Sequence, residues 1–145
     1  MTAGTASNSE LSAKLRFALG RLYRQLRKQS EEDLTPTQAS ALYVIEQREP
    51  IPLGHLAAAE NMAPPSVTRI VSSLEERGLV QRSAAPDDRR GVVASLTPRG
   101  RELIHQMRTR RNTYLARKLA DLSPDDRRLL EEATRLLERL AEEDG

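Results

Sequence analysis

Over most of its length the chain places apolar residues with a helical period rather than a strand period. Leu11, Leu15, Leu19, Leu22 and Leu26 step by four, four, three and four, which draws one apolar stripe along a helix over 9–28. Thr35-Pro36-Thr37-Gln38 is a start signal, with Thr as cap, Pro at the first helical position and Gln reaching back to the cap. The helix it opens carries Leu42, Val44 and Ile45 and runs to about Gln47, where Glu49-Pro50-Ile51-Pro52 breaks it. A short helix from Leu53 to Glu60 then turns Leu53, Leu56 and Ala57 inward, and Asn61-Met62-Ala63 forms a tight turn.

The next helix organises the rest. Pro64 and Pro65 are tolerated only in a first turn, where backbone N–H groups lack helical partners anyway, and Gly78 supplies a left-handed residue that ends the helix. Val67, Ile70, Val71 and Leu74 fall at i, i+3, i+4 and i+7, so one face meets a core. The opposite face carries Pro65, Thr68, Arg69 and Ser72, with Ser66 beside it. Short, polar and basic near the helix N-terminus, that face suits a DNA major groove; an ordinary amphipathic surface helix is the competing reading. Two short helices joined by a tight turn make a helix-turn-helix.

After Gly78 the period changes. Segments 79–84 and 91–96 flank the Pro/Asp-rich stretch Ala85-Pro86-Asp87-Asp88-Arg89-Arg90, the pattern of a β-hairpin with a long charged tip. Placed directly behind a recognition-type helix, the hairpin reads as a wing whose arginines enter a minor groove. A self-neutralising surface turn is the other reading of that tip. Thr97-Pro98 caps a helix carrying Leu103, Ile104 and Met107, then Tyr114, Leu115 and Leu119. Ser123-Pro124-Asp125-Asp126 opens the last helix, whose Leu129, Leu130, Ala133, Leu136, Leu137 and Leu140 form an apolar seam of nearly heptad spacing. The stripe of the first helix can be covered by the chain's own core or by a second subunit. The expected class is mainly α with a small β-hairpin wing.

Charge sharpens the picture. The net charge is only +2 over 145 residues, but 63–111 is strongly basic and 121–145 strongly acidic. A basic middle against an acidic tail favours a polyanion as partner of the middle. Cysteine is absent, which excludes disulfides and thiolate metal sites in this chain. No apolar run reaches bilayer length, and Met1–Ser9 lacks the pattern of a signal peptide, so no membrane association and a cytoplasmic location are expected. His55 and His105 are the only histidines and stand far apart; with no Gly-rich phosphate loop either, neither an enzyme nor a metal or cofactor site is expected.

The combination of Pro65-Ser66-Val67-Thr68-Arg69-Ile70-Val71, Leu74-Glu75-Glu76-Arg77-Gly78-Leu79-Val80, Asp87-Asp88-Arg89-Arg90 and Leu96-Thr97-Pro98-Arg99-Gly100 resembles the MarR family of winged-helix transcriptional regulators. The resemblance spans about 9–140. It implies a homodimer held by helices within 9–30 and 98–143. It also implies a winged helix-turn-helix lobe over 35–97 that binds double-stranded DNA at a near-palindromic operator, and repression relieved by a small, often aromatic, effector. Carried over by motif, Arg90 resembles the minor-groove reader and Asp88 its orienting partner, with Arg89 as the alternative tip residue; Pro65, Ser66, Thr68, Arg69 and Ser72 complete the expected DNA surface. An effector pocket is implied between the dimer helices and the lobe, with Tyr23, Tyr43, Met62 and Met107 as its candidate lining, although each is more readily read as plain core. Two departures stand out. Ala63 occupies the position of the usual Ser or Thr cap, and Ser83-Ala84-Ala85 replaces a more arginine-rich wing strand. A winged-helix module that binds protein instead of DNA is the competing function.

Overall fold

A computed structural model describes residues 7–30, 34–86 and 91–142. In chain order the elements are α1 (Asn8–Lys28), α2 (Pro36–Arg48), β1 (Ile51–Pro52), α3 (Leu53–Glu60), α4 (Pro64–Glu76), β2 (Val80–Ala84), β3 (Val92–Leu96), α5 (Pro98–Ala120) and α6 (Pro124–Leu140). The helix starts are set by side chains. Ser7, Thr35, Thr97 and Ser123 each accept the backbone N–H three residues on, and Gln38 returns the bond to Thr35 in a full capping box. Asn61, at φ 52°, ends α3 in the left-handed region that a short amide side chain tolerates.

One element was not legible as such. Ile51 and Pro52 form a strand that pairs antiparallel with Ala94 and Val93, so the sheet order is β1-β3-β2. Two residues are too few to show a period, and prolines usually argue against a strand. Pro52 is accommodated because β1 lies at the sheet edge, where a missing donor leaves no neighbour unpaired. Ile51 is buried there.

The core sits between α2, α3, α4, the sheet and the first half of α5. It is built from Leu42, Ile45, Ile51, Leu56, Val67, Val71, Leu74, Leu79, Val80, Ala94, Leu96 and Ile104. In α2 the small residues Ala39 and Ala41 take inward places beside Leu42 and Ile45, and Val44 stays half-buried. By contrast α1 and α6 bury no residue at all. Leu129 and Leu140 of the α6 seam are 65% and 73% exposed.

Recognition-helix end, wing and α5 meet at one joint. Gly78, at φ 73°, closes α4, and the Leu79 N–H donates to the Leu74 carbonyl at 3.0 Å, a Schellman ending with both leucines buried. The Thr97 hydroxyl donates to the Gly78 carbonyl at 2.6 Å and accepts the Gly100 N–H at 3.0 Å. The Thr97 N–H donates to the Leu79 carbonyl at 3.1 Å. Gly100 is forced by this closeness, because a Cβ there would overlap the Leu79 carbonyl.

Gly100→Ala should therefore destabilise the fold by about 1–3 kcal/mol, since neither backbone can retreat without breaking these bonds. Gly54, at an exposed position of α3, has open space around its would-be Cβ; Gly54→Ala should be neutral or stabilising by up to ~1 kcal/mol. Urea denaturation of both variants checks the pair, and equal effects would deny Gly100 its role.

Candidate nucleic-acid interface

The recognition helix α4 buries Val67, Val71 and Leu74 and leaves Pro64, Pro65, Thr68 and Arg69 exposed, with Ser66 and Ser72 half-buried at the margin. All five expected residues of this helix thus lie on or beside one solvent-facing strip. Arg69 has no ion-pair partner among the described residues, so its guanidinium is available to an external acceptor. The Thr68 hydroxyl donates to the Pro64 carbonyl at 3.1 Å. Its oxygen lone pairs and methyl group are what it offers outward.

The start of α4 differs from the other long helices. Ala63 gives no side-chain cap. Pro64 and Pro65 have no N–H, and the Ser66 N–H is already bonded to the Ala63 carbonyl at 3.0 Å. A helix N-terminus normally holds phosphate with free backbone donors. Here the donors of residues 64–66 are absent or used, which leaves the first turn of α4 few backbone groups to offer an anion.

The wing joins α4 through a pair that sequence reading did not single out. Glu75 Oε2 accepts the Arg82 backbone N–H at 3.2 Å and Nε–H at 3.3 Å, and Oε1 accepts from Nη2 at 3.1 Å. The Arg82 side-chain bond, opposed by burial and helped by the Arg82 backbone N–H and charge, holds the Glu75 carboxyl below its ordinary 4.5. A lowered folded-state value means that the stabilisation is complete above the ordinary value and is lost only as pH falls through the lowered one. The pair is therefore closed throughout the neutral range. The hairpin itself is closed by the Ala85 N–H on the Gly91 carbonyl at 3.2 Å. Asp88, Arg89 and Arg90 lie outside the described residues.

Behind the lobe, arginines of α5 grip α2 and the end of α1. Arg101 pairs with Glu49 and Arg108 with Glu46. Arg111 Nε donates 2.7 Å to the hydroxyl of Ser30, itself buried. The Arg111 guanidinium lies 6.0 Å from the Tyr23 ring centre and 5.9 Å from that of Tyr43, and Arg108 lies 5.5 Å from Tyr43, distances at which cation–π attraction operates. The Tyr43 hydroxyl is buried without a hydrogen-bond partner among the described residues. Of the candidate pocket residues, Tyr23 and Tyr43 are thus brought together around Arg111. Met107 is buried on α5, and Met62 packs against the lobe core. His55 and His105 are both exposed, and no group able to hold a metal occurs among the described residues.

An edge-to-core sheet, a helix-turn-helix with an outward basic strip and a hairpin bonded to its recognition helix define a winged helix-turn-helix protein. Similarity to known proteins gives the family. The family model described as MarR family matches residues 34–92. Over 138 residues the chain is 36% identical to a helix-turn-helix-type transcriptional regulator of Mycobacterium bovis, Mb0904, covering 94% of this chain and 96% of that protein. A putative transcriptional regulator of Pseudomonas aeruginosa shares the structure with a TM-score of 0.83 and 31% identity, covering 97% of this chain and all of that one. A point mutant of Staphylococcus aureus MepR, solved bound to an oligodeoxyribonucleotide, has the same fold at a TM-score of 0.68 and 20% identity, covering 90% of this chain and 97% of that one. The chain belongs to the MarR family, whose members are DNA-binding transcriptional regulators and not enzymes. No helix among the described residues is long and apolar enough to cross a membrane.

Arg69→Ala should weaken binding to a duplex selected by the wild-type protein by about 1–3 kcal/mol, with relaxed preference at one base position per half-site. Fluorescence anisotropy on wild-type and single-base-variant duplexes reads both effects. Unchanged affinity would remove Arg69 from the interface.

Proposed function

We propose that this chain is a cytoplasmic, homodimeric repressor that occupies a near-palindromic operator and is released from it by a small aromatic effector. Residues 35–97 form its DNA-reading lobe; helices within 9–30 and 98–143 form its dimerisation part. The observation that carries the reading is the coexistence of two kinds of uncovered surface. α4 turns Thr68 and Arg69 outward, and α1 and α6 keep their leucine stripes out of the chain's own core. The first surface fits a groove. The second is too apolar to stay in water and matches a second copy of itself.

In this reading Pro65, Ser66, Thr68, Arg69 and Ser72 enter the major groove. Arg90, held by Asp88, reaches into the minor groove, with Arg89 as the other tip cation. A relative of the same fold carries an oligodeoxyribonucleotide, which supports DNA as the partner. The effector is assigned to the region where Tyr23, Tyr43, Arg108 and Arg111 meet, with Met62 and Met107 behind it. Two aromatic faces, two guanidinium groups and a buried hydroxyl without a partner among the described residues offer stacking, charge and a hydrogen bond to a small aromatic molecule. These same arginines tie α5 to α2, so a ligand that engages them shifts the lobes of the dimer relative to each other.

Replacing Leu136 and Leu137 together by Asp should place charges in the subunit interface and split the dimer or unfold it. Light scattering with circular dichroism follows both outcomes, and operator affinity should drop because two half-sites are no longer bound as one. A wild-type protein that is a folded monomer at micromolar concentration would contradict the assembly.

A further inference from the structure

We infer that Arg82, on the first wing strand, is a phosphate-contacting residue of the DNA interface, and that Glu75 is the positioning residue that aims it. The inference rests on the DNA reading above and adds a contact that neither the recognition-helix strip nor the wing tip supplies. Glu75 continues the outward strip of α4: from Pro65, Thr68 and Ser72 the next positions at helical spacing are Glu75 and Glu76. A carboxylate on a surface facing DNA would repel phosphate if left free. It is not free. Its two oxygens are filled by three donors of Arg82, the backbone N–H, Nε–H and Nη2.

The geometry of that bond decides what Arg82 can do next. Glu75 takes the guanidinium from its Nε/Nη2 edge. The five guanidinium N–H groups form a rigid planar fork, so fixing one edge fixes the direction of the other. Nη1 makes no hydrogen bond among the described residues, and the side chain remains one-third exposed. A guanidinium clamped along one edge and open along the other has its unused donors oriented before any ligand arrives, which spares it the ordering cost of a free arginine. An anionic oxygen is the acceptor that suits those donors best.

Two further observations favour DNA phosphate as that acceptor. The start of α4 lacks the side-chain cap and the free N–H groups that usually hold the backbone, because of Ala63, Pro64 and Pro65. The rising wing strand carries Gln81, Ser83 and Ala84 around Arg82, so Arg82 is its only cation. Arg101, Arg108 and Arg111 are committed to α2 and α1. Arg82 therefore supplies a pre-aimed phosphate anchor between the recognition helix and the wing tip.

The test is a phosphate-by-phosphate scan. The probe is a duplex selected from a random pool by the wild-type protein, with single backbone phosphates replaced in turn by neutral methylphosphonate. Binding is measured for wild type, Arg82→Ala, Arg69→Ala and Glu75→Ala. Wild type should lose about tenfold at one phosphate in each half-site that Arg82→Ala no longer senses. Glu75→Ala, which keeps the arginine charge but not its aim, should spread that sensitivity over neighbouring phosphates. Should Arg82→Ala lose its melting transition, Arg82→Gln, which can still hydrogen-bond Glu75, carries the same comparison. Identical phosphate profiles for wild type and the folded Arg82 variant overturn the inference, and a sharp profile in Glu75→Ala removes its positioning role. If Arg69→Ala changes its base preference while the Arg82 profile does not change, the DNA reading stands and only the Arg82 contact falls. If the wild-type protein selects no duplex at all, both fall.

Discussion

The structure depends on a backbone crossing at Gly78-Leu79 and Thr97–Gly100. Three elements end or begin there: α4, which carries the exposed strip of Thr68 and Arg69; β2, which starts the wing; and α5, which leads away from the lobe. Thr97 bonds the carbonyl that ends α4 and caps α5 with the same hydroxyl. Gly100 lets α5 lie against Leu79 at a distance no side chain permits. The direction of α5 is thereby set by the end of α4. Any shift of α5 must be transmitted to the recognition helix or must break this joint.

A second set of contacts gives that lever a handle. Arg101, Arg108 and Arg111 follow one another along α5 and reach Glu49, Glu46, Tyr43, Tyr23 and Ser30. They are partly exposed pairs, and such pairs contribute modestly to stability. In the proposed effector response, their value lies in being exchangeable. A ligand that offers these guanidinium groups a better acceptor or ring can replace a protein contact at small cost. The aromatic rings and the buried Tyr43 hydroxyl lie in the same place, so the lever and the proposed effector region coincide.

Much of the fold was legible because local chemistry sets it. Thr35, Thr97 and Ser123 announce helix starts, Gly78 announces an end, and the leucine spacing of α1 and α6 shows apolar faces, although only the structure shows that α1 keeps its stripe out of the lobe core. The outward strip of α4 was also readable, since one periodic face implies its complement. What the sequence hides is long-range. β1 is two residues with a proline, and only its partner β3, some forty residues away, makes it a strand. Arg111 meets Ser30 across 81 residues, and nothing local in either predicts it. Arg82 and Glu75 are only seven apart, but a turn and a change of element separate them. A lone arginine in a strand reads as a solvated charge until the carboxylate that holds it is seen. Ser72 shows the opposite error of scale: helical spacing assigns it to the outward face, and packing leaves it half-buried at the edge.

The central claim is that two copies of this chain present their α4 helices to one face of DNA. Sequence selection from a random duplex pool by the full-length protein tests it most directly. A two-fold dimer with rigidly held lobes requires an inverted repeat whose half-site centres lie about 10–10.5 base pairs, one helical turn, apart. Enrichment of such a repeat, with a fixed spacing, is the result the structure predicts. Enrichment of a single, unrepeated motif, or of half-sites at variable spacing, would contradict it.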